Sequence, residues 1–261
     1  MIDKLRLLLA ISFSFITIVA AGESSDTISI SAKSFQLSKL KQGIISYIVY
    51  NKKNMTSPAS GIYLSNIKIE KITYHNVPAL AITQKWVKPD TIFHSAYTVL
   101  KGSDFSTLYH ETYWNRNLYT LKFDFETKVV TFTGSIEDSL KTKVISDFHE
   151  SLQHYNLNWH SDLVIFRLLP YKKGRVFKIN LYDPGFGRAT EVFYSVLRKE
   201  KISVNTGEPL NCWVLENEIP GGGYQRFWVS EQSGEIIIEE DYYNKSYRYK
   251  IKLTVADNIF Q

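Results

Sequence analysis

From residue 44 onward, apolar and polar positions alternate with a period of two, the spacing that puts every other side chain on one face of a β-strand. The runs 44–50, 62–72, 79–87, 105–113, 118–125 and 129–132 share this pattern and are rich in β-branched and aromatic residues. Asn, Gly, Pro and Asp separate them, which predicts antiparallel strands in a meander, with Gly102-Ser103-Asp104 and Thr127-Lys128 as turns. The period changes at Ser135. Ile136, Leu140, Val144 or Ile145, Phe148 and Leu152 recur every three to five residues. This spacing predicts an amphipathic helix over 136–152, capped by Ser135 and with Glu137 and Asp138 in its first turn. A second, short helical stretch follows, with Ser161 or Asp162 as cap, 163–169 as body and Pro170 as stop. Strands resume over 176–182, 190–202, 210–215, 225–229, 235–243 and 247–255. Pro220-Gly221-Gly222-Gly223 reads as a hairpin connection, since a phosphate loop would need a lysine and a strand-to-helix context.

Two short segments recur at a nearly constant offset. Glu70-Lys71-Ile72 returns as Glu200-Lys201-Ile202, and Tyr113-Trp114-Asn115-Arg116 as Tyr242-Tyr243-Asn244-Lys245. A two-fold internal repeat would make halves of about 42–134 and 171–255, with a helical insert over 135–170 and one continuous sheet. Amphipathic strands also look alike by construction, so chance likeness stands beside the repeat. In either case the fold class is mainly β (α+β).

The N-terminus breaks the pattern. Lys4 and Arg6 precede an apolar run over 7–19, and Ala20-Ala21-Gly22 supplies small residues of the kind signal peptidase cleaves after. The run is shorter than the 20 or so residues usual for a bilayer span, so residues 1–21 read as a cleaved export signal and no permanent membrane span is expected. Residues 22–41, rich in Ser, Thr and Lys, read as a flexible segment, and 42–261 as a single domain. No Cys follows the signal core to carry a lipid. The expected location is therefore periplasmic, with an extracellular one as alternative.

Removal of Asp3, Lys4 and Arg6 leaves 29 basic and 25 acidic residues, a net charge of +4. Nucleic-acid binders concentrate Lys and Arg on one face, whereas here they alternate with apolar residues, as in Tyr247-Arg248-Tyr249-Lys250-Ile251-Lys252, which reads as one wet strand face. No nucleic-acid partner is expected. Cys212 is alone, which excludes an internal disulfide, and its neighbours Trp213-Val214-Leu215 make it a buried thiol.

Catalytic and metal motifs are sparse. His149, Glu150, His154 and His160 lack the spacing that places two ligands on one helix face, so they read as solvated helix histidines and no metal or cofactor is expected. No Ser sits in a nucleophile elbow. Glu239-Glu240-Asp241 reads as an edge-strand charge run, its members split between two faces. The positive signal is aromatic: 17 Tyr, 15 Phe and 5 Trp. Trp86, Trp114, Trp213 and Trp228 fall in strands and are the candidate lining of an apolar pocket.

Asp162-Leu163-Val164, Arg167-Leu168-Leu169-Pro170, Gly174, Glu200-Lys201-Ile202, Gly207, Cys212-Trp213-Val214 and Trp228-Val229-Ser230 occur in the order found in a bacterial family of exported proteins of unknown function. The chain resembles that family mainly over 160–253. It departs where the family often has a basic residue and a proline, since Ser233-Gly234-Glu235-Ile236 follows the Trp-x-Ser strand. In architecture the family is similar to the periplasmic carriers of outer-membrane lipoproteins. The resemblance implies a strongly curved antiparallel half-barrel with one or two helices packed on its concave side, and it transfers no catalytic residue. The expected function is non-enzymatic binding of a hydrophobic or amphipathic ligand, a lipid or acyl chain, with a lipid, a lipoprotein or an envelope protein as partner. The alternatives are an envelope structural or interaction module, and a hydrolase with remote carboxylates.

Overall fold

The computed structural model describes residues 26–203 and 208–253. The first half runs β1 (Asp26–Ser29), β2 (Gly43–Lys52), β3 (Ser60–Tyr74), β4 (Val77–Lys88), β5 (Thr91–Lys101), β6 (Thr107–Trp114), β7 (Tyr119–Asp124) and β8 (Val129–Thr133). A helical connection follows, with α1 (Asp138–Ser151), the short β9 (Leu157–Asn158) and α2 (Asp162–Ile165) flanked by 3-10 turns at Trp159–Ser161 and Phe166–Leu168. The second half is β10 (Arg175–Tyr182), β11 (Thr190–Ile202), β12 (Leu210–Ile219), β13 (Gly223–Ser230), β14 (Ile236–Tyr243) and β15 (Ser246–Lys252).

Among the described residues the fifteen strands form one sheet, in the order β1-β10-β11-β12-β13-β14-β15-β2-β3-β4-β5-β6-β7-β8, with β9 attached to β10. Each half is a meander, and β15 joins β2 antiparallel at the centre. The sheet is curved and open, as the half-barrel expectation required, and its edge strands β1 and β8 do not pair with each other. The two recurring segments fall at equivalent places. Glu70–Ile72 and Glu200–Ile202 lie at the ends of β3 and β11, and Tyr113-Trp114 and Tyr242-Tyr243 at the ends of β6 and β14.

The concave face holds the main core. Tyr47, Val49, Ile67, Ile69, Leu80 and Ile82 from one half and Phe177, Ile179, Tyr194, Val196, Leu215 and Phe227 from the other close on Leu163, Val164, Ile165, Phe166 and Leu168 of the helical connection. Burial of these apolar surfaces is the main force holding the plug in the sheet. Gly234 lets the β13–β14 turn reach the plug: its φ is +73°, and a Cβ there would lie 2.6 Å from the Arg167 carbonyl oxygen. The opening between the sheet edges is filled by α1, whose Val144 and Phe148 pack on Leu121 and Phe123 of β7 and on Tyr182. Arg188 ties the β10–β11 loop to α1 through Asp147 at 3.4 Å and Glu150 at 3.2 Å.

Several expectations need correction. The strand β5 was absent from the pattern because its concave positions include His94 and Thr98, both buried, which reverse the apolar alternation. Residues 26–29 of the expected flexible segment form an edge strand, parallel to β10 and anchored by Arg175 on Asp26 at 2.7 Å. The helix α1 begins at Asp138, with Glu137 and not Ser135 at its N-cap. The alternation of 247–252 is no wet face, since β15 lies at the middle of the sheet and Lys250 is buried. Likewise Glu239, Glu240 and Asp241 lie on an inner strand and are all buried.

Candidate functional site

Within the sheet, the ladder between β11 and β12 parts before both strands end. β11 pairs with β12 from Ile202↔Leu210 as far as Ser195↔Glu216. Beyond that point β11 continues along β10 to Thr190, and β12 continues along β13 to Ile219, without pairing with each other. The splay forms a cleft of about 980 Å³. Because side chains alternate between faces, the cleft is lined from inside by Val192, Asn217, Gln225, Asp241 and Arg248 and from outside by Phe193, Ser195, Leu197, Glu216 and Glu218. Trp159, on the 3-10 turn inside the sheet, and Ile219, Pro220 and Tyr243 at the strand ends add apolar surface.

Beneath the cleft lies a buried charge network. Arg248 donates from Nε to Asp241 at 2.6 Å and from Nη2 to Glu239 at 3.2 Å, and Lys250 donates to both Glu239 oxygens at 2.8 and 2.7 Å. Burial and the Glu239 charge raise the Asp241 carboxyl to about 6, whereas burial is overridden at Glu239, whose carboxyl Lys250 and Arg248 hold below its ordinary value. Asp162, at the start of α2, is pushed up to about 7 by burial. Tyr194 donates to Gln225 Oε1 at 3.0 Å, fixing that amide at the cleft wall. On the outer face Glu216 is bonded by Arg226, and Glu191 by Lys178 at 2.7 Å. The cleft thus presents apolar walls with a paired Asp241 and Arg248 at its inner end.

None of the four candidate tryptophans lines this cleft. Trp86 and Trp114 meet edge to face at 5.1 Å at the other half of the sheet. Trp213 stacks on Tyr171 at 6.4 Å, with the Lys199 ammonium 4.4 Å above its ring. Trp228 packs with Cys212, Val214 and Ile237 on the face opposite the main core. Burial pushes the Cys212 thiol up to about 11, as the reading of a buried thiol requires. The tryptophan that does face the cleft, Trp159, lies on a 3-10 turn and so carries no period-two signal.

The structure also joins three histidines that the sequence left apart. His160 is largely buried, in contrast to the solvated reading, and its ring centre lies 5.5 Å from His94 and 4.8 Å from His110. His94 donates from Nδ1 to the Tyr113 carbonyl at 3.0 Å, and His110 Nδ1 meets the Thr98 hydroxyl at 2.9 Å. Burial, with His160 as a secondary cause, lowers His94 to about 3, and burial lowers His110 well below its ordinary value. Among the described residues no group of three or more His, Cys, Asp or Glu is disposed to hold a metal ion.

Comparison with known proteins gives a family and a distant fold likeness. Residues 52–257 match a family described as "Protein of unknown function (DUF3108)". No curated protein matches the chain. Among solved structures, the crystal structure of a beta-barrel-like protein of domain of unknown function DUF1849 from Brucella abortus is similar at 8% identity and a TM-score of 0.37, covering 82% of this chain and 97% of that one.

Proposed function

We propose, for a chain that belongs to the DUF3108 family of proteins of unknown function, that it is a non-enzymatic binding protein that admits an amphipathic ligand through the opening between β11 and β12. The observation that carries this reading is the cleft lined by residues of both sheet faces. An alkyl chain or ring system would lie on Val192, Phe193, Leu197, Ile219 and Trp159, and a polar head would meet Asn217, Gln225 and the Asp241–Arg248 pair. Ligand sites of this kind combine apolar walls with a few placed polar groups. The concave face itself is filled by the plug, so the ligand is assigned to the cleft and not to the four tryptophans. In this reading the chain works outside the cytoplasm, delivered by residues 1–21, and is related in role to carriers of lipid or lipoprotein. A hydrolytic reading has less support, because Glu239 is fully buried beneath Lys250 and does not line the cleft beside Asp241.

Native mass spectrometry of protein purified from cells without detergent tests the proposal. The expected spectrum shows a co-purified small molecule that is lost on extraction and fails to appear in the Phe193→Asp/Ile219→Asp variant. A ligand-free spectrum of the unextracted protein at several temperatures, or the same adduct on the variant, overturns it.

A further inference from the structure

The two rims of the half-barrel differ in how many of their turns pair an exposed apolar side chain with a cation. At the rim where β2 ends and β3 begins, each of several turns carries an exposed apolar side chain beside a cation. Met55 is 62% exposed in the β2–β3 turn, flanked by Lys52 and Lys53. Ile92 stands exposed after the β4–β5 turn, beside Lys88. Leu118 is 73% exposed in the β6–β7 turn next to Arg116, and Tyr243 is exposed beside Lys245 in the β14–β15 turn. Phe186, in the β10–β11 loop, is exposed two residues from Arg188. The turns of the opposite rim carry Asp104, Glu126, Glu231 and Glu235, with one basic and apolar pair, Lys128 and the exposed Val129, whereas the first rim has Asp90 in its β4–β5 turn.

Two further observations give this rim a purpose. Among the described residues Lys52, Lys53, Lys88 and Lys245 make no ion pair with a carboxylate, although lysines elsewhere do, as in Lys68–Glu70, Lys178–Glu191 and Lys199–Glu231. Leu118 adopts a φ of +56°, a left-handed conformation that costs a branched side chain energy and that Gly or Asn would adopt with less strain. An apolar side chain is thus kept largely in solvent at a strained position. The apolar tips sit on separate turns around an arc, so they form no groove for a peptide, but a broad surface can meet all of them together.

We propose that this rim docks on an anionic lipid bilayer, its apolar tips entering the interfacial layer and its lysines, which no carboxylate neutralises, meeting the lipid phosphates. Interfacial binding combines buried apolar area with attraction of basic residues to anionic lipid. The inference stands on the rim alone and does not require the cleft to be occupied. The cleft nevertheless opens beside the same rim, through Asn51, Ile219, Tyr243 and Ser246, which would place its mouth near the membrane.

Sedimentation of the full protein with vesicles of phosphatidylcholine containing phosphatidylglycerol, or of phosphatidylcholine alone, tests the proposal. The expected result is binding to the anionic vesicles at least about tenfold stronger than to the neutral ones, weakened by salt. The Met55→Ser/Leu118→Ser/Phe186→Ser variant loses about tenfold or more, and Lys53→Glu/Lys245→Glu, whose side chains are exposed, loses a comparable amount with unchanged Tm. The opposite-rim change Val129→Ser leaves binding as it was. All forms keep the same N-terminus, so the apolar run 7–19 contributes equally to each. Equal binding by wild type and both rim variants, or no binding by the wild type, overturns the proposal, and capture of an acidic protein in place of the vesicles would do the same.

Discussion

Lys250 grips Glu239 with hydrogen bonds of 2.8 and 2.7 Å to its two carboxylate oxygens, and both residues are buried on the concave side of the sheet. They face each other across β14 and β15, the last hairpin before the join between the two halves. Burial disfavours the charge of Lys250, but Glu239 outweighs it and the ammonium is held above its ordinary pKa. Removing Lys250 leaves the buried Glu239 carboxylate with Arg248 alone, at 3.2 Å, as counter-charge. Lys250→Met is therefore expected to cost about 3–5 kcal/mol, and Glu239→Leu/Lys250→Met to recover most of that loss. Urea unfolding of the two variants checks this, and equal losses in both would show that the pair acts through packing alone.

Asp162 gives the opposite sign of electrostatic effect. Burial raises its carboxyl from 3.8 to about 7 in the folded state, so the native protein binds the proton more tightly than the unfolded chain. Stability from this group is then full below about pH 4 and declines as pH rises toward 7. Asp162→Asn keeps an acceptor for the Leu163 N–H, which Asp162 now receives at 2.5 Å, and does not titrate. Its Tm relative to wild type should rise between pH 4.5 and pH 7.5. A difference that stays flat over that range would mean that Asp162 ionises normally in the fold.

His94 works the other way. Its folded pKa of about 3 lies below the ordinary 6.5, so its contribution is complete above about pH 6.5 and is lost as pH falls toward 3. His94→Gln retains a donor for the Tyr113 carbonyl but cannot become cationic. Acid unfolding followed by near-ultraviolet circular dichroism should show this variant losing less stability than wild type between pH 6.5 and pH 4, and a steeper loss in the variant would contradict the assignment.

The strands that alternate cleanly were legible because one face meets the core: Ile67 and Ile69 in β3, or Phe177 and Ile179 in β10, sit two apart and fall on the same side. Legibility fails where the concave positions are polar. His94 and Thr98 hid β5, and Arg248 and Lys250 made an inner strand look solvated, because their partners Glu239 and Asp241 come from another strand. The aromatic count pointed to Trp86, Trp114, Trp213 and Trp228, none of which lines the cleft between β11 and β12, since strand periodicity cannot say which face a tryptophan takes or where pairing stops. The cleft depends on that second point: Phe193 and Glu218 belong to runs that look like ordinary strand, and only the ladder shows that they have separated.

The separation itself can be tested with engineered disulfides. Ser195 and Glu216 are directly opposed across the last pair of the β11–β12 ladder. Opposed residues in an antiparallel ladder lie about 4.5–5.5 Å apart at Cα, inside the range of about 4.4–6.8 Å that a disulfide spans. Two residues further along, Phe193 and Glu218 would form the next pair on the same face if the ladder continued, but both line the cleft. Under mild oxidation Ser195→Cys/Glu216→Cys should therefore form a bridge, leaving only buried Cys212 as free thiol, whereas Phe193→Cys/Glu218→Cys should retain all three thiols. Thiol titration in denaturant reads both outcomes. Rapid bridging at 193 and 218 would mean that the strands zip together and that the opening is not a stable feature of the fold. If bridging there instead needs strong oxidant and also abolishes the co-purified ligand, the splay between β11 and β12 is the route by which the ligand enters.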